Sequence, residues 1–175
     1  MKTSKFNEEF FASVREMETW KRLSGDIYFT WTEALIERYQ DKIEWKSLSG
    51  NNNVQWTASI LEKYKDRLDW TALSELTCKG LYSSENLKRF SSKWDWSELS
   101  KNSSVRWTVE KIDEFKDCID WDEIINQWNN ESLYTLEFFE KYKEYFPIAS
   151  LHESRLWDAI LEIHKDKLIE QIRTQ

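Results

Sequence analysis

Trp56-Thr57-Ala58-Ser59-Ile60-Leu61-Glu62-Lys63-Tyr64-Lys65-Asp66-Arg67-Leu68-Asp69-Trp70-Thr71-Ala72-Leu73-Ser74 reads as two short helices in sequence. Thr57 is a residue type that caps helix N-termini, because its hydroxyl accepts from a backbone N–H that has no partner inside the helix. Trp56 before it and Leu61 four residues after it are spaced as a hydrophobic staple. The pattern predicts a first helix of about ten residues, Thr57 to Arg67. Asp69 repeats the same logic, with Leu68 before it and Leu73 four residues after it. A second helix of about one and a half to two turns therefore starts at Trp70. The stretch closes on Leu73-Ser74.

The same pattern recurs seven times with a period of about 25 residues, from starts near residues 6, 31, 56, 82, 107, 134 and 156. The opening aromatic slot holds Phe6, Trp31, Trp56, Tyr82, Trp107 and Tyr134, with Leu156 in the seventh repeat. A Tyr/Phe slot holds Tyr39, Tyr64, Phe90, Phe115 and Tyr142, with Val14 and His164 at the two ends. A second aromatic slot holds Trp20, Trp45, Trp70, Trp96 and Trp121, then Ile148 and Glu170. The cap position after the opening aromatic carries Asn7, Thr32, Thr57, Ser83, Thr108 and Thr135. Glu44, Asp69, Asp95 and Asp120 stand as second caps, Glu44 being the weakest type among them. Units this short bury an apolar face only by stacking on their neighbours. The expected fold is all-α: an α-solenoid of about seven short two-helix repeats running as one continuous array over residues 1–175.

The string from Trp56 to Ser74 resembles the tryptophan-rich short helical repeats found in arrays of bacterial and giant-virus proteins, whose units alternate an acid-Lys-Tyr helix with an Asp-Trp turn. The resemblance covers most of the chain and is strongest from Trp31 to Ile125. It implies the repeat type and brings no activity, cofactor or binding residues with it.

The composition fits helices joined by short turns: one proline, three glycines and 15% aromatic residues among 175. The formal net charge is −7, with both signs interleaved along the helices. That balance disfavours phosphate-rich partners, whose binding rests on neutralising cations, and favours a basic protein. Cys78 and Cys118 form no metal or disulfide spacing and read as buried free thiols. No signal peptide or membrane-length apolar run is visible, so a reducing cytoplasm is the expected compartment. His152 and His164 share no ligand spacing with other metal-binding types. The carboxylates Glu37, Glu62, Glu140 and Glu162 recur in register, as scaffold residues do. Neither catalysis nor a cofactor or metal is expected.

Function is sought where the period breaks. Trp94 sits in the slot of Ile43, Leu68 and Ile119 and reads as core. Trp128 stands where other repeats carry Ile27, Asn52, Thr77 and Ser103. Followed by Asn129 and Asn130, it is either an interface anchor or a lid over the longer loop; tryptophan is enriched at binding hot spots. Trp157 occupies the cap slot of the seventh repeat and either covers the open end or faces a partner. Repeat four carries Asn86 for an apolar residue and Lys88 for the recurrent acid. With Lys79, Arg89 and Lys93 these form a local basic-to-neutral patch, unless the changes are drift at a bend. The expected function is a non-catalytic protein–protein interaction module, of an inhibitor or immunity type that covers a basic partner. The alternatives are a repeat-based RNA binder, which needs exposed aromatics and a basic stripe, and a structural spacer with no specific ligand.

Overall fold

A computed structural model describes the backbone of residues 2–174, and the side chains of all of these except 2–6 and 79. The described residues form twelve α-helices and two 3₁₀ helices, with one isolated bridge between Trp31 and Val54 and no strand. None of these helices is long and apolar enough to cross a membrane.

The first repeat is a single helix, α1 (Lys2–Ser24). The five inner repeats carry two helices each. These are α2 (Glu33–Tyr39) and α3 (Trp45–Ser49), α4 (Ala58–Tyr64) and α5 (Trp70–Ser74), α6 (Ser84–Arg89) and α7 (Trp96–Lys101), α8 (Val109–Phe115) and α9 (Trp121–Ile124), and α10 (Leu136–Tyr142) and α11 (Ile148–Leu151). The last repeat is again one helix, α12 (Arg155–Arg173). The 3₁₀ helices Lys79–Tyr82 and Trp128–Leu133 fill the two longer loops. Two-helix units at the ends are thus corrected. Asn7 lies inside α1 and caps nothing, and Phe11 is exposed at 61% rather than stapled.

The capping chemistry holds throughout the interior. Thr32, Thr57, Ser83, Thr108 and Thr135 each accept from the N–H three residues on. Glu44, Asp69 and Asp95 do the same for the second helices, and Asp120 accepts from Asp122. Burial raises the Glu44 pKa, but hydrogen bonds from the Ser47 hydroxyl and the Ser47 and Lys46 amides outweigh it and hold the carboxyl below its usual value. The first helices span seven residues or fewer instead of about ten, because the chain turns immediately after the Tyr/Phe slot.

The chain divides into two compact units, Met1–Trp94 and Asp95–Gln175, with the boundary between the two helices of repeat four. Within the first unit the second aromatic of each repeat packs on the Tyr/Phe slot of the next. The pairs Trp20–Tyr39, Trp45–Tyr64 and Trp70–Phe90 have ring centroids 5.4, 4.8 and 5.1 Å apart. The second unit repeats this with Trp96–Phe115 and Trp121–Tyr142 at 5.1 and 5.3 Å. All five pairs are tilted by 35–42°, within the offset geometries that aromatic quadrupoles favour.

A buried serine adds a polar rung beside the stacks of Trp20, Trp45 and Trp96. The Ser49 hydroxyl donates to the Trp45 carbonyl (2.7 Å) and accepts from the Asp69 N–H of the next repeat (3.0 Å). Ser24 links Trp20 to Glu44, and Ser100 links Trp96 to Asp120, in the same way. Ion pairs bind the outer faces one repeat apart: Glu16–Lys42, Glu37–Lys63, Asp66–Lys93 and Asp113–Lys141, at 2.6–2.8 Å.

Candidate functional site

The second aromatics of the repeats are engaged in stacks with the next Tyr/Phe slot. The off-register residues fall into two groups. Asn86 is buried. Its side-chain amide donates to the Leu81 carbonyl (3.0 Å), and its backbone carbonyl accepts from the Trp94 indole (3.2 Å). It is bonded into the core at a slot that holds Leu35, Ile60, Phe138 and Ile160 in other repeats and Lys111 in repeat five, which corrects its assignment to a partner surface. Trp94 itself is core, 5% exposed.

Arg89 and Lys93 are exposed or half-exposed but belong to the inter-repeat ladder. Arg89 pairs with Glu62 at 3.0 Å and Lys93 with Asp66 at 2.8 Å, each a repeat upstream. Lys88 is exposed on α6. Lys79 opens a 3₁₀ helix, and its side chain lies outside the described residues. Arg89 and Lys93 are therefore cations already answered by the scaffold.

The second group surrounds the 3₁₀ helix Trp128–Leu133. This segment is pinned from beneath. The Asn130 amide, 2% exposed, donates to the Ile124 carbonyl, so Asn130 too is structural and unable to meet a partner. Asn129, half-buried, donates to the Ser103 carbonyl one repeat upstream (3.1 Å), and Gln127 donates to that of Ser100. The Tyr134 hydroxyl lies 2.7 Å from the Ile124 carbonyl and 3.0 Å from that of Gln127. Burial pushes its phenol well above the ordinary tyrosine range.

Trp128 rides on this pinned turn with 67% of its surface exposed. That exposure fits the lid reading poorly. Its slot is a solvent slot in every repeat that carries it: Ile27, Asn52, Thr77 and Ser103 are exposed as well. Ile27, at 62%, has beside it Tyr28 at 91%, so the first unit carries an exposed apolar pair at the same slot, outside the register breaks read from the sequence. The signal was present as an isoleucine in a turn slot otherwise filled by polar residues.

Trp157 is half-buried, its ring 5.9 Å from that of Phe139. It lies in the first turn of α12, donating its N–H to the cap Ser154 at 3.1 Å, so its placement at the cap itself is corrected. Between the 3₁₀ helix and α12 lies an open recess of about 280 Å³, lined by Glu131, Arg155, Asp158, Ala159 and Glu162. Arg155 pairs with Glu131 at 3.1 Å. A second groove, between α1 and the turn at Asp41–Glu44, is crossed by the Glu16–Lys42 pair, with the Lys42 ammonium 5.5 Å from the Trp20 ring centre.

The thiols are less buried than their expected role as small hydrophobes requires: Cys78 is half-buried and Cys118 exposed, and both are free. Among the described residues no group of His, Cys, Asp or Glu could hold a metal ion. No protein-family model matches this chain, and no curated protein or solved structure matches it either.

Proposed function

We propose that this chain is a non-catalytic protein-binding module, an α-solenoid of short helical repeats that presents a pre-formed surface to a basic protein in the manner of an inhibitor or immunity protein. The observation that carries the reading is the exposure of Trp128 on a turn held rigid by three side-chain amides. A large aromatic fixed in water gains its full burial on docking and loses little conformational freedom. The resemblance to tryptophan-rich repeat arrays supports the same reading. The regular aromatics are turned into inter-repeat stacks, which leaves them poorly placed to stack RNA bases.

Affinity capture from the source cell's lysate, with the wild-type chain beside Trp128→Ala, tests this. A specific protein should be enriched by the wild type and lost at least about tenfold in the variant, as for a hot-spot residue. The same protein retained equally by both would refute the site, and no enriched protein in either arm would favour a spacer.

A further inference from the structure

We propose that the recess between the 3₁₀ helix Trp128–Leu133 and α12 takes a basic, amphipathic segment of the partner: a cationic side chain enters the recess while flanking apolar residues cover Trp128. The proposal rests on the reading of the chain as a binding module and names the chemistry of what it binds.

Three observations converge. The recess is lined by three carboxylates and one guanidinium, an excess of two negative charges. Arg155 is committed to Glu131, and Glu162 also has a cation, Lys165, one turn along α12. Asp158 has no ion pair among the described residues. This differs from the acids of the inter-repeat ladder, such as Glu16, Glu37 and Asp113, each of which meets a lysine one repeat on. Second, exposed apolar side chains stand close to the lining residues along both helices. Trp128 is one 3₁₀ turn before Glu131 and so lies on the same side of that helix. Leu161, 49% exposed, sits between Asp158 and Glu162 along α12. Third, the volume of about 280 Å³ admits side chains rather than a folded body.

Charge decides among occupants. A second copy docking recess to recess would face like charges, on a chain already at −7. Nucleic acid would bring phosphates to carboxylates. A lysine or arginine between apolar neighbours satisfies both parts of the site.

The test uses the full-length ¹⁵N-labelled chain and two fluorescein-labelled helical peptides. One carries leucines at i, i+3, i+4 and i+7 flanked by lysines, and the other has every lysine replaced by glutamate. The basic peptide should shift the Trp128 indole resonance and the amides of Glu131, Asp158 and Glu162. Its affinity should fall with salt, about tenfold with Trp128→Ala, and about fivefold with Asp158→Asn plus Glu162→Gln. These two carboxylates are exposed, and the spectrum of the double variant reports that the fold is kept. Shifts elsewhere, equal binding of the acidic peptide, or indifference to the carboxylate variant would each overturn the proposal. So would concentration-dependent self-association that moves the Trp128 signal, which would make a second copy the occupant. If the peptides fail while lysate capture still depends on Trp128, the basic-segment inference falls and the binding module stands. Failure of both removes the module reading as well.

Discussion

Replacing Ser49 by alanine removes one hydroxyl and cuts a link between two repeats. The Ser49 side chain is fully buried, and its oxygen both donates to the Trp45 carbonyl and accepts from the Asp69 N–H. Alanine cannot accept, so the Asp69 N–H loses its partner at a part-buried position. The cost of an orphaned buried donor is about 1–3 kcal/mol. For a chain of this length 1 kcal/mol moves the melting midpoint by about 2–4 °C, so a drop of roughly 2–12 °C is expected. Ser59→Ala is the matched control. Ser59 is exposed, and its hydroxyl meets only the Glu33 carboxylate at 2.6 Å; such surface changes stay within about 0.5 kcal/mol. Urea denaturation gives the difference in stability. Amide hydrogen exchange gives the local effect, which does not depend on the whole chain unfolding in one step. Protection of the Asp69 amide should fall most in Ser49→Ala. A stability change inside the Ser59→Ala range, or an Asp69 amide as protected as before, would refute the idea that buried serines lock successive repeats.

Two further outcomes follow from the same geometry. Asp69→Ala should cost about 1 kcal/mol by removing the cap of α5, measured by urea titration, with Asp69→Asn recovering most of it because an amide oxygen also accepts from Ala72. Tyr134 is held neutral by burial, so its folded pKa lies above that of the unfolded chain. The stability it contributes is complete below the unfolded tyrosine pKa of about 10 and is lost as pH rises from there toward the folded value. Stability measured from pH 8 to 11 should therefore fall less steeply in Tyr134→Phe than in the wild type, and equal slopes would contradict the buried phenol.

Local chemistry made the interior of the chain legible. Caps and staples act within five residues, and every interior cap expected from the sequence accepts its backbone N–H in the structure. The ends were not legible by the same pattern, because Phe6, Asn7 and Phe11 match a staple by spacing alone. No glycine or proline interrupts the chain before Gly25, or between Ser154 and Arg173, and helices continue through both segments. The serine rung left a visible trace, in Ser24, Ser49, Ser74 and Ser100, but spacing could not show that the hydroxyls of Ser24, Ser49 and Ser100 reach into the next repeat.

The register breaks show why unusual residues must be sorted by slot before function is read from them. Asn86 and Trp128 both depart from their columns in residue type. Asn86 occupies a slot that holds buried Ile60 in the preceding repeat and half-buried Lys111 in the following one, and the fold keeps it there by giving its amide and backbone carbonyl partners. Trp128 occupies a slot that is exposed in the other repeats, and nothing draws it inward. A polar residue at a buried slot is a packing problem solved internally. A large apolar residue at an exposed slot has no internal solution and stays in water. By that criterion Ile27 belongs with Trp128, whereas Arg89 and Lys93, whose charges are answered by Glu62 and Asp66, belong to the scaffold.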